Sequence, residues 1–218
     1  MTHNIGMSYP ATGPDAAVRS IEGGSTTEGI CGAGAVILAI LALLGVLPLT
    51  LVSIATIAVG VAMVVGGGAV LAKYNRLVAL RPSEQHEISG GLGLEVLGGI
   101  AGIVLGILAL LGIGNLMLLS IAAIVLGAAL LLSSGSLAQL DNALRVRSLE
   151  PGSSATHGAV VTASGAEVLV GLGAIVLGIL GLAGINPFLL ATIAMLALGA
   201  ATLFSGTSFA SRIGTLFG

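Results

Sequence analysis

Residues 95–139 read EVLGGIAGIVLGILALLGIGNLMLLSIAAIVLGAALLLSSGSLAQ. About 18 apolar residues lead to Gly112-Ile113-Gly114-Asn115, and a second apolar run of similar length ends near Leu137. Beyond Glu95, neither run contains a charge. One such run can cross a bilayer as a helix, because roughly 20 residues at about 1.5 Å each cover the hydrocarbon core. Two runs joined by a few turn-forming residues predict a transmembrane helical hairpin.

The same pattern occurs three times without gaps. Glu28, Glu95 and Glu167 open the copies. Four residues after each stands Gly32, Gly99 or Gly171; seventeen after, Gly45, Gly112 or Gly184; thirty-two after, Gly60, Gly127 or Gly199. The phrases ILALLG (40–45), ILALLG (107–112) and ILGLAG (179–184) are shared. Glycine held in register at three offsets marks an internal triplication. The expected fold is therefore an all-α membrane protein: six transmembrane helices arranged as three parallel-repeated hairpins in a pseudo-threefold bundle. The expected organisation is a polar N-terminal tail over 1–27, hairpins over 28–74 and 95–140, connectors over 75–94 and 141–166, and a third hairpin with the C-terminal tail over 167–218. The apolar runs place helices near 29–46, 49–72, 168–185 and 187–206, with Leu47-Pro48 and Asn186-Pro187 at the turns.

Composition agrees. Of 218 residues, 56% are hydrophobic and only 7% charged, with a mean hydropathy of +1.15. Soluble domains carry about 25% charged residues. The bilayer is thus the first expected partner. The net charge of −2 offers no nucleic-acid footprint. Six of the seven Lys and Arg residues lie in the tails or the two long connectors, Lys73 stands at the edge of the first connector, and the tight turns carry none. The positive-inside tendency puts both termini and both connectors in the cytoplasm, in a multi-pass protein of the cell (inner) membrane.

The first helix of each copy carries a ridge of small residues: Cys31-Ala35-Ala39, Gly98-Gly102-Gly106 and Val170-Ala174-Gly178. Val170 departs from the pattern. Gly32, Gly99 and Gly171 sit beside the ridge. Such ridges let helix backbones approach closely in lipid, within one chain or between copies. A homo-oligomer, or association with other membrane proteins, is expected on that basis.

Glu28, Glu95 and Glu167 are the only repeated ionisable residues. Each precedes its apolar run, so the plain expectation is a carboxylate at a helix N-terminus, favoured by the helix dipole. The sharper expectation is a proton-responsive ring, since a threefold bundle would bring like charges together. His86 and His157, with His3, are further candidates for pH sensing or metal binding. The lone Cys31 excludes an intramolecular disulfide and reads as a packing residue. No HExxH, paired CxxC, GxSxG or P-loop pattern occurs, so no enzyme, cofactor or metal is expected. With no charge expected at mid-membrane, ion-coupled transport is disfavoured.

The hairpin resembles the short repeat of the HdeD family of acid-resistance membrane proteins. The residues that carry the likeness are Gly99-Ile100, Ile103 to Leu110, Leu119, Gly127 and Leu130 to Gly135, repeated in Ile175 to Leu180, Asn186-Pro187, Gly199 and Ser205-Gly206. The resemblance covers roughly 29–206. It implies a six-span, non-enzymatic protein of acid or stress tolerance, a self-associating scaffold or an accessory subunit of a membrane complex. It implies no catalytic residue. The alternative is a channel or transporter for a small neutral or apolar solute, lined by glycines and Ser120, Ser133 and Ser134. Glycine-rich hairpins also resemble rotary-ATPase proteolipid subunits, but those place a carboxylate in mid-helix, where none is expected here.

Overall fold

The computed structural model describes the backbone of residues 14–78, 85–147 and 154–214, and the side chains of 26–68, 93–134 and 166–206. All six described elements are α-helices: α1 Pro14–Leu43, α2 Pro48–Val78, α3 Gln85–Leu110, α4 Asn115–Arg147, α5 Ser154–Leu182 and α6 Pro187–Gly214.

The helices run past the apolar stretches. α1 starts at Pro14 rather than near 29, and α4 ends at Arg147 rather than near 137. α3 and α5 begin at Gln85 and Ser154, inside the stretches expected as connectors. Hydropathy measures only what lipid can solvate. The helical hydrogen-bond ladder continues through polar residues that are good helix formers, such as Gln85, Glu87 and Arg145.

Three turns stop the helices in one way. Gly45, Gly112 and Gly184 each adopt φ +85°, which costs glycine little. The N–H of each glycine donates to the carbonyl three residues back, at Ala42, Ala109 and Gly181. The next N–H, of Val46, Ile113 or Ile185, donates five residues back to Leu41, Leu108 or Leu180. That pair of bonds is a Schellman motif. A second left-handed residue follows at Leu47 (φ 41°), Gly114 (φ 57°) or Asn186 (φ 39°). Its carbonyl accepts the first helical bond of the next helix, from Leu51, Leu118 or Leu190. Pro48 and Pro187 then open α2 and α6, where a missing N–H is harmless.

α2, α4 and α6 touch one another at the centre. α1 packs against α2 and α6, α3 against α2 and α4, and α5 against α4 and α6. The interior is filled by Val52, Val59, Met63, Leu119, Leu126, Met195 and Leu198, all fully buried. The outer faces carry the other large apolar residues: Ile30, Ile37 and Ile40 on α1, Leu97, Val104 and Ile107 on α3, and Leu169, Val176 and Ile179 on α5. Water would not tolerate such faces, but acyl chains solvate them. Among the described residues, five helices are long and apolar enough to cross a membrane: Thr26–Leu43, Pro48–Gly68, Gly93–Leu110, Asn115–Ser134 and Pro187–Gly206. Ala166–Leu182 is a shorter apolar stretch. The protein is an integral membrane protein whose helices contact the lipid bilayer.

The glycines in register pair with one another. A methyl group on Gly60 of α2 would stand 2.6 Å from the Gly99 carbonyl oxygen of α3, and one on Gly99 would stand 2.6 Å from the Gly60 carbonyl oxygen. Gly127 of α4 and Gly171 of α5 repeat this at 2.7 Å each way. Gly199 of α6 meets Gly32 of α1, at 3.2 and 2.8 Å. Backbone lies on backbone at all three contacts, with no room for a side chain. The ridge on α3 faces two neighbours. Gly98 and Gly102 lie against Ala129 and Leu126 of α4, while Gly106 lies against Ile57 and the Ser53 carbonyl of α2.

Two predictions follow from this packing and these turns. Gly99→Ala should destabilise the protein in detergent by about 1–3 kcal/mol, because the methyl group meets rigid backbone. Gly34→Ala, where a methyl group meets nothing within 4 Å, should be neutral or gain up to about 1 kcal/mol from helix propensity. Thermal unfolding monitored by circular dichroism separates the two. At the turns, Gly112→Ala should cost about 1 kcal/mol, while Leu47→Asn should gain a few tenths of a kcal/mol by relieving a left-handed leucine. The same melts read both.

Candidate functional site

Glu28, Glu95 and Glu167 are not at helix N-termini. Glu28 lies 14 residues into α1, Glu95 ten into α3 and Glu167 thirteen into α5. Glu28 and Glu95 also fall inside the membrane-crossing stretches Thr26–Leu43 and Gly93–Leu110. The capping expectation is therefore overturned. Unpaired N–H groups and the dipole act only within the first turn. Within those stretches and in Ala166–Leu182, the carboxyl groups stand at the outer end, two, two and one residues from the first residue, and not at mid-membrane.

The structure brings the three carboxyl groups within electrostatic reach of one another. Glu95 interacts electrostatically with both Glu28 and Glu167, and Glu28 with Glu167. Glu28 is buried, and Glu95 and Glu167 are half-buried. Two glycines of α2 make space for the cluster. A methyl group on Gly66 would stand 2.8 Å from the Glu28 carboxyl group, and one on Gly67 would stand 3.3 Å from the Glu95 side chain. Bare backbone thus replaces a side chain where the carboxyl groups enter.

Two hydroxyls complete the site. Ser205 of α6 is a hydrogen-bond partner of both Glu28 and Glu167, and Ser133 of α4 is a partner of Glu95. Gly66, Ser133 and Ser205 share one register, 38 residues after Glu28, Glu95 and Glu167. That shared offset was a signal in the sequence, and reasoning from apolar runs passed over it.

The hydroxyls constrain the chemistry. A hydroxyl has one proton to donate. Ser205 can give it to one carboxylate; it can bond the other only by accepting, so that carboxyl group must then carry a proton. Ser133 Oγ donates to the Leu130 carbonyl at 3.0 Å. While that bond holds, Ser133 has no proton left for a Glu95 carboxylate. Glu28, Glu95 and Glu167 are the only charged side chains among the residues whose side chains are described, so no described cation neutralises them.

The other candidates sort plainly. Among the described residues, no group of three or more His, Cys, Asp or Glu stands ready to hold a metal ion. His3, His86 and His157 lie outside the residues whose side chains are described. Cys31 is unpaired and half-buried. Ser120 donates to the Leu116 carbonyl at 2.9 Å and Ser134 to the Leu131 carbonyl at 2.8 Å. Ser120 also crowds Gly181 of α5, so it belongs to a helix contact. Comparison of the chain with known protein families, with curated proteins and with solved structures finds no match in any of the three.

Ser205→Ala removes the partner of two carboxyl groups and should cost about 1–3 kcal/mol of stability. Ser134→Ala removes only a bond to its own helix and should stay within about 0.5 kcal/mol. Equal losses in a detergent unfolding titration would show that Ser205 does not serve the carboxyl groups.

Proposed function

We propose that this chain is a non-enzymatic membrane protein of acid or stress tolerance, in which three repeated hairpins form a pseudo-threefold bundle around a proton-responsive set of Glu28, Glu95 and Glu167. The observation that carries the reading is the meeting of three carboxyl groups from three different helices, with hydroxyl partners and no described cation. An ionisable residue within a span is costly and is kept for a purpose. The HdeD-type likeness of the repeat supports the same physiological role. The cyclic order of glycine contacts, Gly60 on Gly99, Gly127 on Gly171 and Gly199 on Gly32, supports the threefold arrangement. In this reading both termini face the cytoplasm, the membrane is the cell membrane, and the bundle works as a self-associating scaffold or an accessory subunit.

A selective path for a small neutral solute is the competing reading. The fully buried Val59, Met63, Leu126 and Leu198 in the interior weigh against it. Two measurements decide. Glu28→Gln, Glu95→Gln and Glu167→Gln together should abolish the acid survival that the wild-type chain confers on a sensitive host. Unchanged survival refutes the role of the carboxyl groups. Purified protein in proteoliposomes should leave the bilayer tight to small neutral solutes; selective flux would favour the competing reading.

A further inference from the structure

The end of the bundle formed by the three tight turns is apolar and exposed. Leu44 is 72% exposed, Leu111 69% and Leu47 68%, and Val46, Ile113, Met117 and Ile185 are exposed beside them. Within 43–50, 110–117 and 182–189 no residue is charged, and only Thr50, Asn115 and Asn186 are polar. A loop built for water does not look like this. We infer that the turn end is a lipid-binding face, lodged in the boundary between acyl chains and headgroups of the far leaflet instead of standing in water.

Three observations carry it. The face continues the lipid-facing belt without a break: Ile37 and Leu41 on α1 lead to Leu44 just past its end, Val104 and Ile107 on α3 lead to Leu111 just past its end, and Val176 and Ile179 lead to Leu182 on α5. The turns also leave few donors open. The N–H groups of Gly45, Gly112 and Gly184 and of Val46, Ile113 and Ile185 bond within the chain, and Pro48 and Pro187 have no N–H to satisfy. The N–H groups of Leu47, Gly114 and Asn186 make no backbone bond, which the headgroup boundary can serve and the hydrocarbon core could not.

The third observation is length. Leu43, Leu110 and Leu182 each stand 15 residues past their glutamate, at Glu28, Glu95 and Glu167. At about 1.5 Å per residue this is roughly 23 Å, and the turn tip adds at most about 5 Å. The hydrocarbon core is about 30 Å thick. If the carboxyl groups stood at the near edge of the core, the tips would end about 2 Å short of its far edge. The next charged residues on the helices, Glu22, Lys73, Glu87, Asp141 and Arg212, lie six to eight residues further from the turns than the glutamate layer. If those stood at the near edge, the tips would reach about 8 Å beyond the core, within the far headgroups. In both placements the turn residues stay in the lipid.

The inference rests on the chain being an integral membrane protein, not on its role in acid tolerance. The test uses full-length protein with Cys31→Ser and one of Val46→Cys, Ile113→Cys or Ile185→Cys, all exposed sites. It is reconstituted in phosphatidylcholine–phosphatidylglycerol vesicles, with helix content checked by circular dichroism. A membrane-impermeant maleimide should label each cysteine at least about tenfold more slowly than in detergent-denatured protein, because the reactive thiolate does not form readily in an apolar layer. A bimane on the same cysteine should be quenched by spin-labelled lipids and not by aqueous iodide. Fast labelling or iodide quenching would place the turns in water and overturn the inference. Quenching by neither, with cross-linking between two copies, would assign the face to a second chain and overturn it equally.

Discussion

Bare backbone resting on bare backbone is the contact on which this bundle depends. At Gly60 with Gly99, Gly127 with Gly171, and Gly199 with Gly32, a helix approaches its neighbour until a carbonyl oxygen occupies the place a side chain would take. In lipid there is no hydrophobic force to press helices together, since acyl chains solvate leucine as well as another leucine does. What remains is contact area, dispersion and close-lying backbone dipoles. Small residues maximise all three. The large apolar side chains are then divided between the interior, at Val59, Met63, Leu126 and Leu198, and the lipid-facing surface, at Ile37, Val104 and Val176.

The same economy of side chains makes the carboxyl site. Gly66 and Gly67 on α2 leave a recess that Glu28 and Glu95 enter. Where α4 and α6 carry Ser133 and Ser205 in the register of Gly66, the recess is exchanged for a hydrogen-bond partner. The three equivalent positions are therefore unlike in chemistry. One glutamate meets bare backbone of its own helix pair, and hydroxyls serve all three. Unequal groups at the same register give each carboxyl group a different environment.

Other polar groups within the spans are dealt with locally. Ser53, Thr56, Ser120 and Thr192 donate to the carbonyl four residues earlier on their own helices, and Ser133, Ser134 and Thr202 to the carbonyl three residues earlier. No buried side-chain nitrogen or oxygen among the described residues lacks a partner. The hydroxyls thus stabilise the interior without needing water, whereas the carboxyl groups draw on partners from other helices.

By itself the sequence determined the membrane class, the three tight turns and the glycines held at fixed offsets. Each of these is local: hydropathy along 95–139 reports solvation, and Gly45, Gly112 and Gly184 report a backbone angle. Helix length was misread because hydropathy falls silent where polar residues continue a helix, as at Gln85 to Glu95. Only the tertiary structure decided which glycine meets which, and that Glu28, Glu95 and Glu167 share one site with Ser133 and Ser205. Those contacts join residues far apart in the chain, and the distance of closest approach between two helix backbones is not written in either helix alone.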